Sequence, residues 1–362
     1  MFKKIFIIFM VFLLSAIYVA PVQADDSLKV LNSSATVTYP QSISFKISAQ
    51  SDVKITEIRL QYSVQSTGFV KVVNEAYIQF VPSTKVDIEW DWDLVRIGGL
   101  PPGVIVKYQW LLLDASNERL TTPVESVDFN DNRYRWNILT EGKVTLYWYE
   151  GTNSFAEELM KSTQSALTRL SESTGAVIKS EVRLYIYANS TDLRSSMIFP
   201  QDWSGGVAFV RYDCIAIGIS TANIEWGKSA IAHELTHLIT NQMTLNPYNN
   251  IPTWLDEGLA MYNEGPLQVT FANNLTLAIQ ENRLISVRSL ASPFSAYSVI
   301  STVSYAESYS IVDYLISNYG KDKMSALLET FRQGSTYDGA LQRVYGFDMD
   351  GLNTLWQSHI RQ

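Results

Sequence analysis

The sequence predicts an α+β protein in two parts, a β-sandwich followed by a mixed domain, and three observations carry that prediction. Residues 28–140 hold short runs that alternate apolar and polar positions, with turn residues between them. From about residue 141 strands come first and helices afterwards, the order of an α+β domain. The length of 362 residues suits about two domains.

The first 24 residues have the three parts of an export signal: Lys3 and Lys4, an uncharged apolar run over residues 5–20, and Val22-Gln23-Ala24 for a signal peptidase. That run of 16 residues is shorter than the roughly 20 needed to span hydrocarbon. The expectation is therefore a cleaved signal (1–24) and a secreted, extracytoplasmic chain, with retention as an uncleaved N-terminal anchor as the alternative. Removing two lysines from 28 basic residues leaves 26 against 36 acids, a formal charge of −10. With no basic run to replace phosphate counterions, nucleic acid is excluded as a partner.

Over residues 25–140, Ala35-Thr36-Val37-Thr38-Tyr39, Ile43-Ser44-Phe45-Lys46-Ile47, residues 55–62, Val86-Asp87-Ile88-Glu89-Trp90 and residues 104–113 read as strands. Asn32-Ser33-Ser34, Gly98-Gly99 and Pro101-Pro102-Gly103 supply turns. One immunoglobulin-like sandwich is expected. The run Asp87 to Asp93 reads as an alternating strand with one wet face rather than as a sugar or calcium site. Asn130-Asp131-Asn132 reads as a turn between domains.

Over residues 141–362, strands are expected at 144–149, 182–187, 207–211 and 215–219. Ser154 is placed as the cap of a helix over 155–173. Further helices are expected at 225–242, 253–263, 306–318, 321–331 and 351–360. Cys214, the one cysteine, sits in Asp213-Cys214-Ile215-Ala216-Ile217 and reads as a buried apolar residue, so no intramolecular disulfide is available.

The chemistry lies in Ala232-His233-Glu234-Leu235-Thr236-His237. Residues four apart share a helix face, so two imidazoles can meet one ion while Glu234 reaches its water. Only three histidines occur, and two are in this motif. Catalytic zinc takes three protein ligands, so a third is needed downstream. Pro252-Thr253-Trp254-Leu255-Asp256-Glu257-Gly258 offers Glu257, 20 positions beyond His237, on a short helix that Thr253 can cap. Asp256 reads as a cap or surface acid. One Zn²⁺ per chain on His233, His237 and Glu257 is the expectation, with Glu234 as general base.

His-Glu-Leu-Thr-His followed by Trp254-Leu255-Asp256-Glu257-Gly258-Leu259-Ala260 resembles the gluzincin zinc metallopeptidases, which include thermolysin and the metalloaminopeptidases, and in particular bacterial proteins with a peptidase MA-like domain. The resemblance covers roughly residues 142–362. It implies a thermolysin-like zincin fold and hydrolysis of peptide or protein substrates. It also implies a transition-state tyrosine in Val303-Ser304-Tyr305-Ala306-Glu307-Ser308-Tyr309, assigned to Tyr305 with Tyr309 as its competitor. A substrate strand would add to residues 206–210 or 215–219. The Gly-x-Met-Glu-Asn run of the aminopeptidases is missing, which leans the reading toward endopeptidase action. The competing reading is an adhesion or binding protein, using its sandwich toward a cell-surface partner and keeping the zincin as an inactive scaffold.

Overall fold

The computed structural model describes residues 27–201, 205–295 and 297–362, so the expected signal at 1–24 lies outside the described residues. Among the described residues no helix is long and apolar enough to cross a membrane.

The first part is built from β1 (Lys29–Thr38), β2 (Ser42–Val64), β3 (Asn74–Tyr77), β4 (Ser83–Asp93), β5 (Val104–Asp114), β6 (Arg119–Thr121) and β7 (Glu125–Phe129). All seven are hydrogen-bonded into one sheet. The expected immunoglobulin-like sandwich is thus represented by one continuous sheet, linked through β2. The two strands anticipated at 43–47 and 55–62 are one, β2, which passes through Ser51-Asp52-Val53-Lys54 as an irregularity and not a turn. Before that bend β2 pairs with β1 and β4, and after it with β3 and β5. An interruption of this kind bends a strand and strengthens its twist. The sheet folds over its own core, so that Phe45 before the bend meets Tyr108 edge-on at 5.0 Å. In β4 the alternation holds: Val86 and Trp92 are buried, and Asp87, Glu89 and Asp91 face solvent.

The second part carries β8 (Asn137–Glu141), β9 (Val144–Trp148), α1 (Asn153–Thr174), β10 (Val182–Tyr187), α2 (Ser190–Ser195), β11 (Gly206–Phe209), β12 (Cys214–Gly218), α3 (Ile224–Thr244), α4 (Thr253–Glu264), α5 (Val269–Gln280), α6 (Ser298–Arg332), α7 (Tyr337–Tyr345) and α8 (Met349–Ile360). Thr152, and not Ser154, caps α1, its side chain accepting from the Phe155 amide. The helices expected at 306–318 and 321–331 are the two arms of α6, separated at Gly320, whose φ of 80° leaves helical geometry.

The five-stranded sheet runs β11-β12-β10-β9-β8, parallel between β9, β10 and β12 and antiparallel at both edges. Its central strands are buried on both faces, which is why they read as near-continuous apolar runs. Leu184, Ile186, Ile215 and Ile217 face α1 and α3. Tyr185, Tyr187, Cys214 and Ala216 face the other way, under Tyr134, Trp136, Tyr147 and Tyr149. Cys214 is fully buried there, and burial pushes its thiol up to about 12, the inert state expected of it. A second helical core joins α4, α6, α7 and α8 around Trp254, Leu315, Phe331 and Trp356.

Candidate metal centre

Helix α3 lies under the sheet with Ile231, Leu235, Leu238 and Ile239 buried against it. That packing leaves His233 and His237 on the opposite face, one turn apart, turned toward α4. The crossing of α3 and α4 is fixed by a buried polar contact: the Asn263 amide donates to Thr236 Oγ1 at 2.8 Å, while the Asn263 carbonyl accepts from Arg169 of α1. Neither Asn263 nor Thr236 is exposed by more than 2%. In the second turn of α4, Gly258 allows contact with α6, since a Cβ there would stand 2.4 Å from the Ser308 carbonyl oxygen. Thr253 is the first residue of α4 and does not cap it; its hydroxyl donates to the Ala291 carbonyl.

The outcome is that His233, His237 and Glu257 meet. Glu257 Oε2 lies 3.4 Å from His233 Nε2 and 3.5 Å from His237 Nε2, and the three ligand atoms are all within 4.8 Å of one another. A tetrahedral zinc with bonds of about 2.0–2.1 Å needs ligand-to-ligand edges of about 3.4 Å. Glu257 Oε2 is also buried without a directed hydrogen bond. A carboxylate oxygen orphaned between two imidazole nitrogens, in a borderline-soft N/N/O set, fits a zinc ion.

Two residues not assigned from the sequence complete the group. Glu264 Oε1 stands 2.8 Å from His233 Nδ1, and Asp256 Oδ1 stands 3.1 Å from His237 Nδ1. Glu264 hydrogen-bonds the His233 ring and leaves its Nε2 free to face an ion, the second contact that metal-ligating histidines usually make, whereas Asp256 approaches His237 Nδ1 at ion-pair distance without a directed hydrogen bond. Asp256 is therefore more than the cap or surface acid it resembled.

Electrostatics report the same demand for positive charge. Burial opposes ionisation of His233, but Glu257 and Glu264 outweigh it and hold the imidazole up to about 9. Burial alone would raise Glu257, yet the two imidazoles bring it down to about 2. Burial lifts Glu234 above the usual carboxyl range, partly offset by both histidines and by the Ala208 backbone N–H that donates to it.

That N–H belongs to β11, the sheet edge above α3. Of the two segments expected to receive a substrate strand, Gly206–Phe209 of the first thus forms the edge, with Val210 already in the turn that follows, while β12 (Cys214–Gly218) lies inside the sheet between β11 and β10. Gly206 sits over Glu234, where a Cβ would come 3.1 Å from Oε1. Of the competing tyrosines, Tyr305 has its ring 6.5 Å from that of His233. Tyr309 instead packs against Tyr262 at 5.9 Å. Burial raises the Tyr305 hydroxyl well above its ordinary range, with Glu257, Glu234 and Asp256 adding to the effect, so it keeps its proton.

A two-histidine, one-glutamate centre between crossed helices, under the edge of a mixed sheet, defines a metallopeptidase-like protein. The chain belongs to the Peptidase MA superfamily, whose family model matches residues 162–362. No curated protein matches. Among solved structures, the chain is similar to an M1 zinc metallopeptidase from Deinococcus radiodurans at 11% identity, covering 91% of this chain and 94% of that one with a TM-score of 0.39. It is similar to Legionella pneumophila aminopeptidase A in complex with aspartic acid at 12% identity, covering 91% and 50% with a TM-score of 0.38. Against catalytically inactive OgpA from Akkermansia muciniphila, in complex with an O-glycopeptide substrate, identity is 9%, coverage 30% of each chain and the TM-score 0.22.

Proposed function

We propose that this chain is a zinc-dependent metallopeptidase that cleaves peptide bonds, with His233, His237 and Glu257 holding the ion. The observation that carries the reading is the Glu257 oxygen placed 3.4 and 3.5 Å from the two imidazole nitrogens. A bound zinc supplies Lewis acidity and lowers the pKa of water to about 7. The rest belongs to the chain. Glu234, raised by burial and adjacent to the cluster, takes the proton of the attacking water and returns it to the leaving nitrogen. Tyr305 retains its proton and donates to the oxygen on which charge develops. The free edge of β11 orders an extended peptide by strand addition. Glu264 keeps the His233 imidazole in the ligating tautomer, and Asp256 stands beside that of His237. Residues 1–24 direct export, so the mature protein recovered outside the cytoplasm should begin at Asp25.

The test is metal content and peptide cleavage in parallel. Glu234→Gln should retain one zinc per chain and lose about 10²–10⁴-fold in kcat, whereas His237→Ala should lose the zinc. Tyr305→Phe should lower kcat with KM little changed. Cleavage undiminished in Glu234→Gln would sink the mechanism, and a folded wild-type chain that binds no zinc would sink the ligand set.

A further inference from the structure

Beside the centre, toward the C-terminal end of α3, opens a cavity of about 380 Å³ that His237 and Asp256 share with a polar wall. Asn241 lies one turn beyond His237 on the same face of α3, so the stripe of His233 and His237 continues into this space. Its side chain makes no hydrogen bond among the described residues. Asn249 gives its amide N–H to the Ser335 carbonyl at 3.0 Å, and its Oδ1 is buried within the wall, out of reach of anything that enters the cavity. Tyr337 adds a hydroxyl that is likewise unpaired among the described residues. Neighbouring Asn246 is different in kind. Its amide donates to the Thr244, Asn249 and Phe331 carbonyls and its Oδ1 accepts from two backbone amides, so its capacity is used in shaping the loop.

The cavity therefore presents the unused groups of Asn241 and Tyr337, with Val210 and Pro293 as apolar walls, and among the described residues no lysine or arginine lines it. An acidic side chain would meet Asp256. An apolar one would leave the Asn241 amide and the Tyr337 hydroxyl unsatisfied, the kind of loss from which hydrogen-bonding sites draw their selectivity. At the other end of the α3 groove Trp226 lies against Gly205, so the two ends differ in chemistry.

The geometry points to this cavity as the substrate-specificity pocket for a neutral, hydrogen-bonding side chain, an amide or hydroxyl residue next to the scissile bond on the His237 side, with Asn241 and Tyr337 reading it. The catalytic half of the test rests on the peptidase reading; the binding half does not. Peptides differing only in Asn or Leu at each position flanking the scissile bond are titrated into zinc-loaded Glu234→Gln protein by calorimetry, and kcat/KM is measured for the same pairs with the unsubstituted chain. At one flanking position Asn should be favoured about tenfold in both measurements, consistent with one or two satisfied hydrogen bonds.

Adding Asn241→Leu should bring that ratio to about one or invert it. Tyr337→Phe, which removes a single hydroxyl and leaves the fold unburdened, should reduce it about threefold. Equal treatment of Asn and Leu, a preference for lysine or arginine set by Asp256, or a ratio unmoved by both substitutions would overturn the pocket. Selective binding of the Asn peptide without cleavage by the unsubstituted chain would uphold the pocket and overturn the peptidase reading; cleavage without preference would do the reverse.

Discussion

Glu307 shows how much one buried carboxyl can govern. It is fully buried, both of its oxygens accept from the Ile285 amide at 3.1 Å, and burial pushes it up to about 8 against that single compensating donor. Unfolded, the group ionises near 4.5. As pH rises from about 4.5 to about 8 the unfolded chain therefore releases a proton that the folded chain keeps, and folding stability falls across that window by on the order of 5 kcal/mol. Glu307→Gln keeps an acceptor for Ile285 and has no proton to lose. It should match the wild type near pH 4 and exceed it by a few kcal/mol at pH 8 in denaturant titrations. A wild-type curve that does not fall over this range would show the carboxylate to be solvated. At the same scale, His233, Glu234, His237 and Glu257 were legible because helical spacing by itself puts residues four apart on one face. Glu264 and Asp256 were not. Their contacts depend on how α4 crosses α3, and the helix expected at 253–263 stopped one residue short of Glu264, which lies two turns after Glu257 on the same face.

The crossing of α4 with α6 sets where Glu257 can stand, and Gly258 sets that crossing. Alanine is the better helix former by about 1 kcal/mol, but its methyl would enter the Ser308 carbonyl oxygen at 2.4 Å and Val312 Cγ2 at 2.6 Å. Overpacking typically costs about 1–3 kcal/mol, and here it would lever the helix carrying Glu257 away from the imidazoles. Gly258→Ala should thus lower stability and weaken zinc retention at least tenfold against a chelator. An unchanged chelator titration would mean that the ligand is positioned by α3 alone. Elements were legible where burial marks the sequence, as in α1, whose buried residues recur at helical spacing, and in β10, an apolar run buried on both faces. They were missed where local chemistry misleads. Ser51-Asp52-Val53-Lys54 has the composition of a turn, yet β2 runs through it because the ladders that end at Gln50 and resume at Ile55 hold the strand on either side of the stretch. α5 was missed because it is weakly buried, with only Ala278 enclosed, so its sequence lacks the stripe that marks a packed helix.

At the scale of the whole molecule, the first part is docked onto the face of the five-stranded sheet that α1 and α3 leave bare. Asp131, read from sequence as a mere turn residue, is completely buried at that junction. It takes hydrogen bonds from Arg133 at 2.6 and 2.8 Å and from the Tyr187 hydroxyl at 3.1 Å, and its carbonyl accepts from the Trp136 indole at 2.8 Å. Tyr39 of the first part donates to the Ser196 carbonyl at 3.0 Å, and Arg183 of β10 donates to the carbonyls of Gly103 and Tyr212. These contacts close over Tyr185, Tyr187 and Cys214, which would otherwise present apolar surface to water. Separation of the two parts would expose that surface together with unpaired polar groups, so they should open as one cooperative unit. Removing the Asp131 carboxylate takes the acceptor of the Tyr187 hydroxyl and leaves the Arg133 guanidinium only its hydrogen bonds with Ser195. Because Arg133 keeps about a third of its side-chain surface in water, the cost should sit below that of a fully buried pair, at about 2–3 kcal/mol. Hydrogen exchange followed by mass spectrometry measures this directly: in Asp131→Ala the slowest amides of β5 and of β10 should lose the same protection free energy. If β5 opened early while β10 kept its wild-type protection, the sheets would be independent units and the junction only a tether.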